Sequence, residues 1–333
     1  MTISIIGAGS WGTALAVLLV EKNHEVTIWS YRQDQVINMK NTRQSDKLPG
    51  VLLPSQLNYT SDLAVACESE LLVMAVPSKA TRSTAEKLKP FIKPNQIIVS
   101  VTKGIEESTL MTQSEIIEDV LGADTKLCVL SGPSHAEEVV EGLPTVVVAG
   151  SKDKLTADTV QNTFMNENFR VYTSPDVVGI EVGAALKNVI ALAAGMSDGL
   201  GFGDNAKAAL ITRGIKEITN LACAMGGRAE TLAGLAGVGD LIVTCSSKHS
   251  RNRMCGFYIG QGVVVSEAID RVGMIVEGVY SAKAALLLAN KYKVEMPIIE
   301  HVNAVLFDGE NVKHMVVELM TRDKKSELNS IDW

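Results

Sequence analysis

Along the first half of the chain, short β-branched apolar runs at residues 3–6, 25–29, 71–76, 96–101, 126–130, 145–149 and 169–172 alternate with stretches whose apolar positions recur at helical spacing. Such alternation predicts a mostly parallel sheet with crossover helices, the doubly wound layout. The pattern changes after Pro175. Strand-like runs give way to Ala, Leu, Gly and charged residues at helical spacing, so residues 180–333 read as mainly helical. Between the two regimes, residues 177–196 are apolar and rich in small side chains, long enough for a helix buried between two halves. We therefore expect an α/β domain over residues 1–185 and an all-α domain over residues 186–333. The polar tail at 321–332 reads as solvated.

Composition supports this division and narrows the function. A chain of 333 residues exceeds what one hydrophobic core usually organises, so two domains are the default. A net charge of -7 argues against a nucleic-acid or membrane-surface partner, so any anionic ligand must meet a local cluster of cations. The cysteines (Cys67, Cys128, Cys223, Cys245, Cys255) are scattered without a CxxC pair, which points away from zinc knots and disulfides and toward the cytoplasm. No basic flank or cleavable region follows Met1, and no run reaches the ~18 unbroken apolar residues of a membrane span. The expectation is an untargeted soluble protein with neither a metal nor a membrane anchor.

Gly7-Ala8-Gly9-Ser10-Trp11-Gly12 follows an apolar strand and opens an amphipathic helix over 13–21, the setting that a GxGxxG pattern requires before it carries meaning. Gly7 allows the tight turn, Gly9 lets the backbone approach a pyrophosphate, and Gly12 permits close helix–strand packing. The helix N-terminus favours the phosphate charge. The first domain thus reads as a dinucleotide-binding Rossmann domain, a ligand-free glycine turn being the plainer alternative. An NAD-specific site would carry an acid about 20 residues on, at the end of the second strand. Here the sequence is Trp29-Ser30-Tyr31-Arg32, and an arginine suits a 2′-phosphate by charge and by its planar fork of donors. NADP(H) is the expected cofactor, with NAD(H) also accepted, unless Arg32 is only a solvated surface residue.

The chemistry gathers at the carboxyl edges of the predicted strands, where ligands of such sheets sit: Pro77-Ser78 after one, Thr102-Lys103-Gly104 after another. A third strand breaks at Gly132-Pro133, and a helix begins behind Ser134 or His135 with free N–H groups suited to an anion or carboxamide. His135 has the ordinary pKa of a general acid, but capping that helix is its favoured role. Lys187 stands alone in an apolar helix, where lost hydration lowers an ammonium pKa from about 10.4 toward the useful range. Snorkelling to solvent or pairing with Glu181 or another carboxylate is the bland alternative. Asp240, read as ending a flexible apolar loop at 236–239, would be costly unpaired, and Lys187 is its plausible partner. Ser250-Arg251-Asn252-Arg253 offers a run of donors that a phosphate needs, or else a solvated face. A nicotinamide, a protonatable lysine and a cationic end together suggest reduction of a small phosphorylated ketone.

The same segments closely resemble the bacterial-type NAD(P)-dependent glycerol-3-phosphate dehydrogenases. The likeness runs through residues 7–16 (GAGSWGTALA), 100–106 (SVTKGIE), 130–139 (LSGPSHAEEV), 185–189 (ALKNV), 237–241 (GVGDL), 251–253 (RNR) and 276–278 (VEG). It implies a helical C-terminal domain of the 6-phosphogluconate-dehydrogenase-like type, with the site in the cleft between the domains. Lys187 would be the proton donor or acceptor. Lys103, Gly132, Ser134, Asn188, Asp240, Thr244, Ser250, Arg251 and Asn252 match substrate positions, Arg251 and Asn252 at the phosphate end. Ser10, Trp11, Arg32, Lys103, Ala136, Arg251, Ile275 and Glu277 match cofactor contacts beside Gly7, Gly9 and Gly12. The implied reaction converts dihydroxyacetone phosphate to sn-glycerol 3-phosphate for phospholipids, in a cytoplasmic homodimer. A 3-hydroxyacid or 6-phosphogluconate-type dehydrogenase and a non-catalytic NAD(P) sensor are the competing readings.

Overall fold

The structure is a computed structural model in which residues 1–324, 326 and 327 are described. The end of the tail expected at 321–332 lies outside the described residues; its first residue instead closes the helix Val312–Thr321. Eight strands, β1 (Thr2–Ile6), β2 (Glu25–Trp29), β3 (Asn58–Thr60), β4 (Leu71–Met74), β5 (Ile97–Ser100), β6 (Lys126–Ser131), β7 (Thr145–Gly150) and β8 (Phe169–Ser174), form one sheet. Their order is β3-β2-β1-β4-β5-β6-β7-β8. Every pairing is parallel except β6 with β7, where the connection holds only the short helix Ala136–Val140 and returns the chain antiparallel. Seven strands lie where the apolar runs place them. The eighth, β3, has three residues on the sheet edge, too few to show a period in sequence.

Residues of β4 are buried throughout, as expected of a sheet covered on both faces. The helix Ser10–Glu21 departs from its expected amphipathic character. Residues from Gly12 to Leu19 are all buried, because the helix is enclosed by the sheet and by the helices Ala136–Val140 and Lys154–Phe164.

After β8 every regular element among the described residues is helical. The helix Val177–Gly199 is long and apolar enough to cross a membrane by composition, yet 94% of that apolar window is buried inside the fold. It is the core around which the C-terminal half assembles, and position 185 falls inside it.

This helix meets the helix Arg251–Gly260 backbone to backbone. A Cβ on Gly195 would stand 1.9 Å from the Arg253 carbonyl oxygen, and one on Gly256 would stand 2.0 Å from that of Leu192. Gly199 and Gly260 repeat the contact one turn further on. Because Lys187 rides on one helix and Arg251 on the other, the glycine seam sets the spacing of the site. Gly256→Ala is therefore expected to lower stability by about 3 kcal/mol, the upper end of overpacking costs, measured as a shift in urea midpoint. An unchanged midpoint would mean that the two backbones tolerate separation.

Candidate active site

The glycine turn has the form that a dinucleotide needs. Gly7 lies at φ +127°, and a Cβ there would be 2.5 Å from the Ala75 carbonyl oxygen. A Cβ on Gly12 would be 2.3 Å from the Gly7 carbonyl oxygen, whereas one on Gly9 would meet nothing within 4 Å. Gly9 is the N-cap of the helix Ser10–Glu21 and supplies no side-chain cap, so the first N–H groups of that helix await an external acceptor. The residues present fit a pyrophosphate. Gln35 braces this turn: its amide nitrogen donates to the Ala8 carbonyl (3.0 Å), and its oxygen accepts from the Ser30 hydroxyl (2.7 Å). Nothing in the sequence spacing had singled out Gln35. Arg32, at the end of β2, is half-exposed and gripped by the Asp34 carboxylate.

At the other end of the sheet edge, Asp240 is the hub. Its carboxylate receives the Lys187 ammonium at 2.9 Å on one oxygen and the Lys103 ammonium at 2.8 Å on the other. Lys187 also donates to the Thr244 hydroxyl (2.7 Å), which in turn donates to the Asp240 carbonyl (2.6 Å), one helical turn back. Lys103 and the Ser134 hydroxyl both donate to the Gly132 carbonyl, at 3.2 and 2.9 Å. Lys103 follows β5, Gly132 follows β6, and Asp240 belongs to the helical half, so the cluster spans both halves of the chain. The glycine turn after β1 and Lys103 after β5 are two strands apart on one edge, about 10 Å.

The electrostatics follow from burial. Lys187 is 5% exposed, and desolvation drives its pKa down to about 8; Asp240 opposes the shift and Lys103 reinforces it. Burial alone would push the Asp240 carboxyl up, but the two ammonium groups outweigh it and hold the carboxyl below its ordinary range. The 236–239 stretch expected as a flexible loop is a π-helical turn, Leu235–Gly239, running directly into the helix Asp240–Ser246. Asp240 therefore sits on rigid backbone.

Glu181 is not the partner of Lys187. Its carboxylate accepts from the Ser114 N–H (2.8 Å) and hydroxyl at the start of the helix Gln113–Leu121, and burial pushes it up to about 7. His135 occupies the N-cap of the helix Ala136–Val140, but its side chain makes no capping bond. Burial beside Lys187 and Lys103 lowers its pKa, favouring the neutral ring.

The helix Arg251–Gly260 brings in the cationic end. Ser250 caps it, accepting from the Arg253 N–H at 3.2 Å. Arg253 itself is tied to Asp198 and is not free for a ligand. Asn252 donates to Asn188 (2.9 Å) and accepts from the Gly278 N–H (2.8 Å), fixing Arg251 next to the start of the helix Glu277–Tyr292. Glu277 heads that helix, two residues after the half-buried Ile275. Ser10 and Trp11 open the helix after the glycine turn, and the buried Ala136 opens the helix after Ser134.

Models of the NAD-dependent glycerol-3-phosphate dehydrogenase N-terminus and C-terminus match residues 2–157 and 176–317. The chain belongs to this family. It is 58% identical over 333 residues to a glycerol-3-phosphate dehydrogenase (NAD(P)+) of Agathobacter rectalis, covering 99% of each. A counterpart from Fusobacterium nucleatum is 56% identical, covering 98% of this chain and 99% of the relative. The crystal structure of glycerol-3-phosphate dehydrogenase from Coxiella burnetii superposes with a TM-score of 0.92 at 37% identity, covering 96% of this chain and 99% of that one. NAD(P) dependence is thus a family property, and the Rossmann layout with a helical second half is the family's fold.

Proposed function

We propose that this member of the glycerol-3-phosphate dehydrogenase family reduces dihydroxyacetone phosphate reversibly to sn-glycerol 3-phosphate, with Lys187 as the proton donor. The observation that carries the assignment of roles is the buried Lys187–Asp240–Lys103 cluster at the carboxyl edge of the sheet. A dinucleotide with its pyrophosphate at the glycine turn would supply the hydride from its nicotinamide. The ammonium of Lys187 hands its proton to the carbonyl oxygen as negative charge builds there, while Lys103 adds positive field. Thr244 and Asp240 hold the Lys187 amine in one orientation through the transfer. Arg251 and Asn252 anchor the phosphate and fix the register of the ketone. A carboxylate substrate, as a 3-hydroxyacid dehydrogenase would need, fits this reading less well than a phosphate.

NADPH is the cofactor we infer to be preferred, because Arg32 stands where an acid would select NADH. The grip of Asp34 on Arg32 must yield to a 2′-phosphate, which leaves NADH accepted as well. The resemblance to bacterial-type enzymes supports a cytoplasmic homodimer supplying glycerol 3-phosphate to phospholipid synthesis.

Initial rates with dihydroxyacetone phosphate, read from the nicotinamide absorbance with each reduced cofactor, test the proposal. Reduction needs the protonated amine, so kcat/KM falls as pH rises through about 8, while oxidation of glycerol 3-phosphate rises over the same interval. Absence of turnover would overturn the substrate assignment. A preference for NADH of more than ~10-fold, about 1.4 kcal/mol, would overturn that of Arg32.

A further inference from the structure

Arg251 makes no hydrogen bond or ion pair among the described residues, although its charge acts on the carboxylate of Glu277. An arginine beside a carboxylate can pair with it in bidentate fashion, yet these two form no ion pair. The Glu277 carboxylate is instead bound from the N-terminal half of the chain. Ser78, in the turn after β4, directs its backbone N–H to one Glu277 oxygen (3.2 Å) and its hydroxyl to the other. Each oxygen thereby accepts one bond from Ser78, and the pair of bonds orients the carboxylate toward the turn after β4. Gly104, at φ +155°, seals the arrangement: a Cβ there would be 2.6 Å from that of Ser78.

We infer that Ser78 is a positioning residue that holds the Glu277 carboxylate on the dinucleotide side and so keeps Arg251 free for the substrate phosphate. The inference rests on Arg251 as the phosphate anchor. The geometry gives it a direction. Without the hydroxyl, one carboxylate oxygen loses its Ser78 bond and turns to Arg251, the foremost positive charge acting on it, competing with phosphate for the same guanidinium. Burial pushes the Glu277 carboxyl above its ordinary range, and Ser78, Arg251 and Lys79 oppose that push, so loss of the serine bond leaves Arg251 and Lys79 as the compensating charges.

The test uses the full-length chain and inorganic phosphate as probe, its Kd read by calorimetry without cofactor, alongside kcat and KM for dihydroxyacetone phosphate. Ser78→Ala is expected to weaken phosphate binding and raise KM by ~10-fold, as for a lost hydrogen bond to a charged group, with kcat moved less than ~3-fold. Ser78→Thr, which keeps both donors, should stay near the parent. Adding Glu277→Gln to Ser78→Ala removes the competing charge and should restore phosphate binding, although Glu277 matches a cofactor contact and turnover need not recover. Unchanged phosphate affinity in Ser78→Ala, or no recovery in the double variant, overturns the inference. Arg251→Ala separates this from the underlying assignment: if it leaves phosphate binding intact, the anchor lies elsewhere and the substrate reading fails first.

Discussion

Replacing Lys187 with alanine is expected to lower kcat for ketone reduction by ~100-fold or more, the scale on which a positioned general acid contributes. The ammonium is buried, its pKa is brought down to about 8, and it is held by two partners, Asp240 and Thr244. All three features favour proton transfer over a structural role, for which an unshifted lysine would serve as well. Because the interaction matters when charge develops on oxygen, kcat and kcat/KM should fall together. The fold should survive, since Asp240 retains Lys103 at 2.8 Å and is not left as a lone buried charge. Lys187→Arg is the sharper control: it preserves positive charge, but a guanidinium stays protonated and cannot take part in the transfer. Near-normal kcat in either variant would move the proton to another group, with Lys103 the next candidate by geometry.

Much of this site was legible in the sequence, for identifiable reasons. The glycine turn declares itself because the steric demands at Gly7 and Gly12 admit no side chain, and those demands are local. Lys187 declares itself because one charge in a long apolar run has few explanations. The pairing of Asp240 with Lys187 follows from the same cost argument, and the structure adds Lys103 to it. What was misread depends on packing between distant segments. The helix after the glycine turn looks amphipathic until two later helices enclose it. The stretch before Asp240 looks flexible because of its glycines, yet Gly237 is there to let the π-helical turn lie against the Leu232 carbonyl, where a Cβ would be 2.0 Å away. Gln35 and Ser78 act through two hydrogen bonds each to partners set by the tertiary fold. The strand edge after β4 pointed to Ser78 as a polar group in the right place, but not to the glutamate it holds.

Asp240→Asn should have the other large effect, on both turnover and stability, and its pH dependence distinguishes the cause. The amide keeps the shape and can still accept one lysine hydrogen bond, but it leaves two ammonium groups in a buried site without a counter-charge. Removing one partner of a buried ion pair typically costs about 3–5 kcal/mol. Here the penalty has an outlet. Lys187 already titrates near 8 with the carboxylate present, and each further unit of depression costs only about 1.4 kcal/mol, so shedding the proton is the cheaper response. The folded variant then binds fewer protons than the unfolded chain, which means that its stability rises with pH. The deficit relative to the parent should therefore be largest near pH 6 and smaller near pH 9, within the range that a lysine of depressed pKa defines. Catalysis should follow the same charge: the alkaline limb of ketone reduction moves to lower pH, because the amine loses its proton earlier. Urea midpoints and kcat/KM profiles collected over that interval would check both. A deficit that does not vary with pH would mean that Lys187 stays charged without Asp240, and that Thr244 and solvent suffice to hold it.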